Sequence, residues 1–378
     1  MNYYEESLKL HEKLEGKLET ISKMPLNTKE DLSLAYTPGV AAACLKIAED
    51  KTLAYKYTLK ANTVAVISDG SAVLGLGNIG PEAGLPVMEG KCMLFKEFAG
   101  INAFPLVIDT QDTEEIIKFC KLVAPTFGGI NLEDISAPRC FEIEERLKNE
   151  LDIPVMHDDQ HGTAIVCLAG LINSLKITGK KVNEIKIVIN GLGAAGTAIL
   201  KLLKLYGVEN IVACDSKGII SKDRTDLNKE KIKILEISNP KNISGNLTDA
   251  IKGADVFIGV SAPNAITKEN VESMSTDAII FAMANPTPEI MPDIAKAAGA
   301  RIIATGRSDF PNQLNNVLVF PGIFKGALKY KIKRITDEMK LNAAQALASY
   351  VENPTEDHII PNPLDKKIPD IIADSLLK

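Results

Sequence analysis

The sequence predicts an α/β protein in which a doubly wound parallel sheet is preceded by a second α/β domain and closed by C-terminal helices. Three observations predict it. From residue 63 onward, near-continuous apolar runs of strand length alternate with helical patterns, as in parallel sheets covered on both faces. One of these runs, residues 184–190, ends in GlyLeuGlyAlaAlaGly at 191–196, which opens a helix. Two further runs end in acids, at 133–134 and 158–159.

Along the chain, Leu10, Leu14, Leu18 and Ile21 lie at helical spacing with charges between and Pro25 beyond, so one amphipathic helix is expected there. Residues 63–71 read as a buried strand and turn, and residues 103–109 as a second strand. The helix GluGluIleIleLysPheCysLysLeuVal follows, and residues 153–156 read as a strand entering a turn. A helix near Gly162 opens the next unit. Its strands are expected at residues 184–190, 210–215, 254–260, 278–284 and 301–306. Beyond Phe324 the chain reverts to helix, a Pro-rich stretch and a last short helix, expected to pack back on the first domain. The expected domains are therefore 1–158, 159–325 and 326–378.

Composition sets the class. Of the 378 residues, 46% are apolar and 24% charged, as in ordinary soluble globular proteins. The net charge of −6 carries no basic block, which argues against a nucleic-acid partner. No apolar stretch is read as long enough to cross a bilayer, and the first residues lack a signal-peptide pattern. Six scattered cysteines without a CxxC pair fit buried thiols in a reducing compartment, so a cytoplasmic protein is expected.

Gly191, Gly193 and Gly196 form GxGxxG directly after a strand. The first allows the tight turn, the second lets backbone approach a pyrophosphate, and the third permits close helix packing. With Leu192, Ala194 and Ala195 between them, they place a helix N-terminus against phosphate charge. Asp215 ends the following strand, where a carboxylate accepts from ribose hydroxyls. Together these predict a Rossmann-type NAD domain. Asp215 favours NAD over NADP, with Lys217 and Lys222 placed to soften that preference. Gly75, Gly77 and Gly80 repeat the spacing, but Pro81 follows and the next ten residues do not read as a periodic helix. A loop shaping a substrate cavity and a simple turn are both open readings of it.

Glu133, Asp134, Asp158 and Asp159 offer four carboxylates beside strand ends, a donor set suited to a hard cation such as Mg²⁺ or Mn²⁺. His157 and His161 share i, i+4 spacing, but Asp158 stands where a zinc-protease motif requires Glu. They read as polar residues supporting the site.

The remaining motifs are specific. They are TyrThrProGlyVal at 36–40, SerAspGlySerAlaValLeuGlyLeuGlyAsnIleGly at 68–80, GluGlyLys at 89–91, AsnLeuGluAspIle at 131–135, HisAspAspGlnHisGlyThrAla at 157–164, AlaAsnProThrProGlu at 284–289 and GlnLeuAsnAsnValLeuValPheProGly at 313–322. With these motifs the chain resembles the malic enzyme family, in its short bacterial form, over nearly its whole length. The resemblance implies oxidative decarboxylation of malate to pyruvate and CO₂ with NAD, or NADP, and Mg²⁺ or Mn²⁺. It implies Tyr36 as general acid, Lys91 as general base beside Asp158, and Glu133, Asp134 and Asp159 as metal ligands. Asn285, with Asn315 or Asn316, is implied to contact substrate and nicotinamide. For the base role Lys91 needs a lowered pKa, which burial and a cation favour and Asp158 opposes. Larger relatives carry an arginine before the GlyLeuGly turn, where this chain has Ser71, Ala72 and Val73; another group, Ser71 among the candidates, has to assist. A malolactic enzyme that retains its NAD and a silent NAD-binding sensor are the competing readings. The apolar arm ahead of Tyr36 suits a homodimer with shared sites.

Overall fold

The computed structural model describes residues 3–377. The first sheet contains β1 (Thr63–Ser68), β2 (Asn102–Val107), β3 (Gly129–Leu132) and β4 (Val155–His157), all parallel in the order β2-β1-β3-β4. Every residue of β1, β3 and β4 is buried, as expected of strands covered on both faces. The second sheet holds β5 (Lys186–Asn190), β6 (Asn210–Asp215), β7 (Gly218–Ile219), β8 (Val256–Gly259), β9 (Ala278–Ala282) and β10 (Ala300–Thr305) in the order β10-β9-β8-β5-β6-β7. Only β7 runs antiparallel. The chain winds from β5 to β6 in one direction and from β8 to β10 in the other, so the crevice between the C-terminal ends of β5 and β8 is the topological switch point. The Rossmann-type expectation is met.

Three readings change. The amphipathic helix spans Tyr3–Leu14 only, because Glu15 and Gly16 both turn to positive φ (53° and 113°); Leu18 and Ile21 lie outside it. Residues 81–99, which lacked visible periodicity, form a 19-residue helix, Pro81–Ala99, with Pro86 inside it. Pro81 occupies the first turn, where its missing N–H costs nothing, and Gly84, Met88, Lys91, Cys92 and Phe95 form its buried stripe. One helix, Asp158–Thr178, is long and apolar enough by length and composition to cross a bilayer, against the expectation of no such stretch. It is a core element instead. Of its apolar window 72% is buried, between Ala194–Tyr206 on one side and Asp337–Tyr350 on the other. Asn173 on this helix donates to the carbonyls of Ala348 and Ile359, each at 2.9 Å, which ties the C-terminal segment down.

The helix Phe320–Lys329 bridges the two sheets. Phe320 and Phe324 pack edge-on against Phe95 of Pro81–Ala99, with ring centroids at 4.7 and 5.4 Å. The last helix, Ile368–Ser375, packs mainly on Phe320–Lys329. All six cysteines are unpaired, five of them buried. The arm is different in kind: between residues 3 and 59 almost every side chain is exposed, Leu8, Leu10, Ile21, Leu34 and Tyr36 among them.

Candidate active site at the facing sheet edges

The two sheets turn their C-terminal edges toward each other. At the second, Gly191 follows β5 with φ +104°, and a Cβ there would lie 2.5 Å from the Val260 carbonyl oxygen. A Cβ on Gly196 would lie 1.8 Å from the Gly191 carbonyl oxygen, so the turn and the helix Ala194–Tyr206 close only around glycine. Gly191, Leu192, Gly193, Asp215, Ser261 and Ala262 line a cavity of about 730 Å³ at the switch point. Ala194 and Ala195 open the helix behind them, which aims its N-terminal amides at this cavity.

Asp215 is not a free carboxylate. It accepts from both terminal nitrogens of Arg224 (2.7 and 3.1 Å), from Lys231 and from the Lys217 backbone N–H. Burial raises its carboxyl, but Arg224 and Lys231 outweigh burial and hold it below the usual carboxylate range. The cations that temper Asp215 are therefore Arg224 and Lys231, which sequence reading missed. Lys217 pairs with Asp226 at 2.8 Å instead, and Lys222 only caps a loop through its backbone.

At the first sheet, Glu133 and Asp134 follow β3 while Asp158 and Asp159 follow β4, so adjacent parallel strands bring the four acids together. Oxygens of Glu133, Asp134 and Asp159 lie within 4.8 Å of one another. Lys91 enters from Pro81–Ala99, 92% buried, with Nζ 2.7 Å from Asp158 Oδ2 and 2.9 Å from Glu133 Oε1. Its ammonium also lies over the Phe320 ring, 4.4 Å from the centroid. Burial alone would push this lysine down, but Asp158, Glu133 and Asp159 outweigh burial and raise it above the usual lysine range. The lowered pKa expected for Lys91 is thus reversed here, because three carboxylates surround it rather than one. Burial pushes the carboxyls of Glu133 and Asp158 upward against the pull of Lys91.

The surroundings complete the picture. Asn131 donates to Glu133 Oε2 at 2.7 Å, and Asn316 donates to Asp158 Oδ2 at 2.6 Å. Asn315 uses its side chain to cap the Val317 N–H, so of the two asparagines only Asn316 is joined to the acids. His157 is fully buried with Nδ1 3.8 Å from Asp159, whereas His161 turns away to Glu144 at 2.9 Å. Asn285 stands across from this edge and precedes Pro286 through a cis peptide bond; a Cβ on Gly75 would lie 2.1 Å from its carbonyl oxygen. The second glycine loop therefore packs against the turn carrying Asn285. Tyr36 is 67% exposed in the arm, and its phenol has no hydrogen bond among the described residues. It is not among the partners of Lys91, which are Asp158, Glu133 and Phe320.

Several partnerships carried no sequence signal. Arg139 donates to Asp69 Oδ2 (2.8 Å) and Ser71 Oγ (3.0 Å), and Ser71 donates to Asp69 Oδ1 at 2.6 Å, so Ser71 is committed within the protein. Glu289, fully buried, accepts from the backbone N–H groups of Ser261 (2.8 Å) and Ala284 (3.0 Å), bracing the ends of β8 and β9. The acid in AlaAsnProThrProGlu was visible, but not this long-range use of it.

Two predictions follow from the packing. A Cβ on Gly162 would lie 2.0 Å from Asp158 Oδ1 and 3.0 Å from Asn316 Cβ. Gly162→Ala must displace Asp158, so both melting temperature and turnover should fall, turnover by about tenfold or more; unchanged kinetics would show that Asp158 needs no fixed place. Glu144 accepts from the His157 N–H (3.0 Å), Lys148 (2.8 Å) and His161 (2.9 Å). Burial raises its carboxyl, but His161 and Lys148 hold it well below the usual range. Its contribution to stability is therefore full above the unfolded carboxylate pKa and lost as pH falls through the lower folded one. Glu144→Gln should flatten the acid limb of a stability-versus-pH curve, and an unaltered limb would remove Glu144 from that account.

The chain matches the malic enzyme N-terminal domain over residues 15–118 and 110–148, and the malic enzyme NAD-binding domain over residues 160–371. It belongs to the malic enzyme family. It is 56% identical over 381 residues to a bifunctional malic/malolactic enzyme of Bacillus subtilis, covering 100% of this chain and 93% of that one. It is 58% identical over 365 residues to an NAD-dependent malic enzyme of Geobacillus stearothermophilus, covering 96% and 76%. The crystal structure of an NAD-dependent malic enzyme from Thermotoga maritima superposes with TM-score 0.95 at 51% identity, covering 98% of each chain. As a malic enzyme family member, the chain has a nicotinamide-coenzyme domain.

Proposed function

We propose that this chain oxidises malate with NAD or NADP and decarboxylates it to pyruvate and CO₂, using Mg²⁺ or Mn²⁺ held by Glu133, Asp134 and Asp159. One observation carries the metal: among the described residues, four clustered carboxylates face one ammonium, that of Lys91. An acid surplus of this kind, largely out of water, calls for a further cation. Asn131 Oδ1 and Asp158 Oδ1 are buried acceptors without donors, which fits an ion and its water at this edge.

When bound, the cation would polarise the substrate oxygens and the nicotinamide would take up the hydride. Lys91, once a bound cation offsets the acids that hold it charged, accepts the proton of the malate hydroxyl as the neutral amine. Asp158, fixed by Asn316, keeps the lysine nitrogen pointed at the acid cluster. After CO₂ leaves, Tyr36 returns a proton to the enol carbon. Asn285 and Asn316, with Asn315 behind them, contact substrate and nicotinamide from the second sheet. Arg224 and Lys231 offset the charge of Asp215 and are cations a 2′-phosphate would meet, so the charge around Asp215 does not restrict the coenzyme to NAD.

The assembly proposed is a homodimer in which the exposed arm covers a second copy. Its apolar residues would otherwise face water together, and contiguous exposure of this extent marks a contact surface.

The test is reduction of NAD or NADP by malate with Mn²⁺, scored with and without chelator. No reduction of either coenzyme, or indifference to chelation, overturns the proposal; turnover discards the silent sensor. The Bacillus relative's bifunctional name keeps malolactic chemistry as a second reading, for which lactate would form without NADH release. Asp159→Asn removes one ligand charge, so the Mn²⁺ concentration for half-maximal activity should rise by about tenfold or more. An unchanged titration would make Asp159 a structural acid only.

A further inference from the structure

The first turn of Asp158–Thr178 has two faces. Asp158 and Asp159 belong to the acid cluster, but Gln160 and His161 line a separate cleft of about 1120 Å³. Its walls are the helices Arg139–Glu150, Ala194–Tyr206 and Lys229–Ile237, with the start of Asp337–Tyr350 at one end. It shares no lining residue with the acid cluster or with the dinucleotide cavity.

The polar groups of this cleft are unbalanced in one direction. Each of its five carboxylates already has a cation: Glu144 has Lys148 (2.8 Å), Glu230 has Lys233 (2.7 Å) and Asp337 has Lys340 (2.8 Å). Glu142 lies 3.5 Å from Arg146 and Glu145 3.6 Å from Arg334. Lys201 and Lys229, by contrast, have no carboxylate partner among the described residues, although both are on the cleft wall, where the Lys201 ammonium lies over the Phe141 ring at 5.9 Å. Gln160 is 95% buried, and its amide nitrogen has no acceptor; the Nε of Arg139, also on the wall, has none either. The buried polar atoms left without a partner on this wall are therefore donors, the Gln160 amide and the Arg139 Nε, and buried donors left without acceptors call for an explanation. Phe141, Leu202, Leu205 and Ile237 add an apolar wall beside them.

We propose that this cleft is a binding site for a small organic phosphate. The headgroup meets Lys201, Lys229 and the Gln160 amide, and the body lies along Phe141 and Leu205. A phosphate suits the site better than a carboxylate, since two ammonium groups without carboxylate partners and fixed N–H donors need more charge and more than two acceptor oxygens. The volume is that of a metabolite-sized pocket. The position also gives an occupant a route to the chemistry. Gln160 follows Asp159 directly, and Glu144 on the cleft wall accepts from the His157 N–H immediately before Asp158. An occupant that draws on Gln160 thus acts on the turn that carries two of the four clustered acids, and it is a regulator if its affinity differs between the states of that turn. The regulatory part rests on the function proposed above; binding itself does not, and is tested without turnover.

The experiment is calorimetric titration of phenyl phosphate, and separately of inorganic phosphate, into the full chain saturated with NAD and free of divalent cation. Saturable binding of about one phenyl phosphate per chain is expected, tighter than that of inorganic phosphate because the ring meets the apolar wall. Lys201→Glu with Lys229→Glu should weaken it by about tenfold or more while leaving NAD affinity and malate turnover without phosphate unchanged, since both lysines are exposed. Gln160→Leu should weaken it too; the two surface substitutions decide the matter if that buried variant does not fold. Absence of saturable binding, displacement by further NAD, or affinity indifferent to the lysine substitutions overturns the site.

Discussion

Lys91→Ala should abolish malate oxidation, with turnover reduced by about 10³-fold or more, the scale of losing a positioned general base. NAD affinity should survive, because the dinucleotide cavity shares no residue with Lys91. The lysine is held from three sides, by Asp158 at 2.7 Å, Glu133 at 2.9 Å and the Phe320 ring at 4.4 Å, so no neighbouring amine can take its place. Its removal leaves four carboxylates with no ammonium among them, and breaking a buried ion pair in this way costs about 3–5 kcal/mol. A lower melting temperature in chelator, restored in part by Mn²⁺, should accompany the lost turnover. Lys91→Met tells the loss of charge and proton site from the cavity that Ala leaves, since it keeps the volume of the stem. Near-native turnover in a folded Lys91→Ala variant would end the assignment of Lys91 as base.

What could be read in the sequence was what local spacing encodes. GlyLeuGlyAlaAlaGly after an apolar run fixed the position of the switch point, since the turn, the close backbone approach and the helix start all fall within six residues. The acids were legible for a similar reason: each pair directly follows a short strand, and parallel pairing of β3 with β4 brings the pairs together. The helix Pro81–Ala99 was hidden by Gly84, Pro86 and Gly90, whose low helix propensity is overridden by the packing of Met88, Cys92 and Phe95. The end of the arm helix at Leu14 depended on two positive-φ residues, one of them Glu15, which no propensity announces. Long-range partnerships were out of reach altogether. Glu289 with Ser261, Arg139 with Asp69, and Asp215 with Arg224 and Lys231 are set by the fold, and so is the raised pKa of Lys91, which follows from how many acids surround it.

Mixing a Tyr36→Phe variant with a Lys91→Ala variant should recover activity that neither has alone. Tyr36 lies in the exposed arm, and its helix Lys29–Ala35 packs on the next helix of the arm, Val40–Glu49, rather than on the acid cluster. Lys91, by contrast, is buried beside Glu133 and Asp158 in the body of the chain. If the arm of one subunit reaches the other's acid cluster, each site takes its tyrosine from one chain and its lysine from the other. A mixed dimer then gathers both lesions in one site and leaves the second intact. Dimers of this kind are symmetric pairs, so random exchange makes about half of them mixed and the pool should regain about a quarter of wild-type turnover. Tyr36→Phe by itself should slow pyruvate formation more than malate oxidation, with oxaloacetate released, because only the later protonation needs the phenol. The arm's apolar side chains give exchange its handle: Leu10→Glu with Ile21→Glu should weaken the pairing and lower activity at low protein concentration. Should mixed dimers form, as shown by a mass tag on one variant, and remain inactive, each chain builds its own site and Tyr36 must swing inward with its own arm.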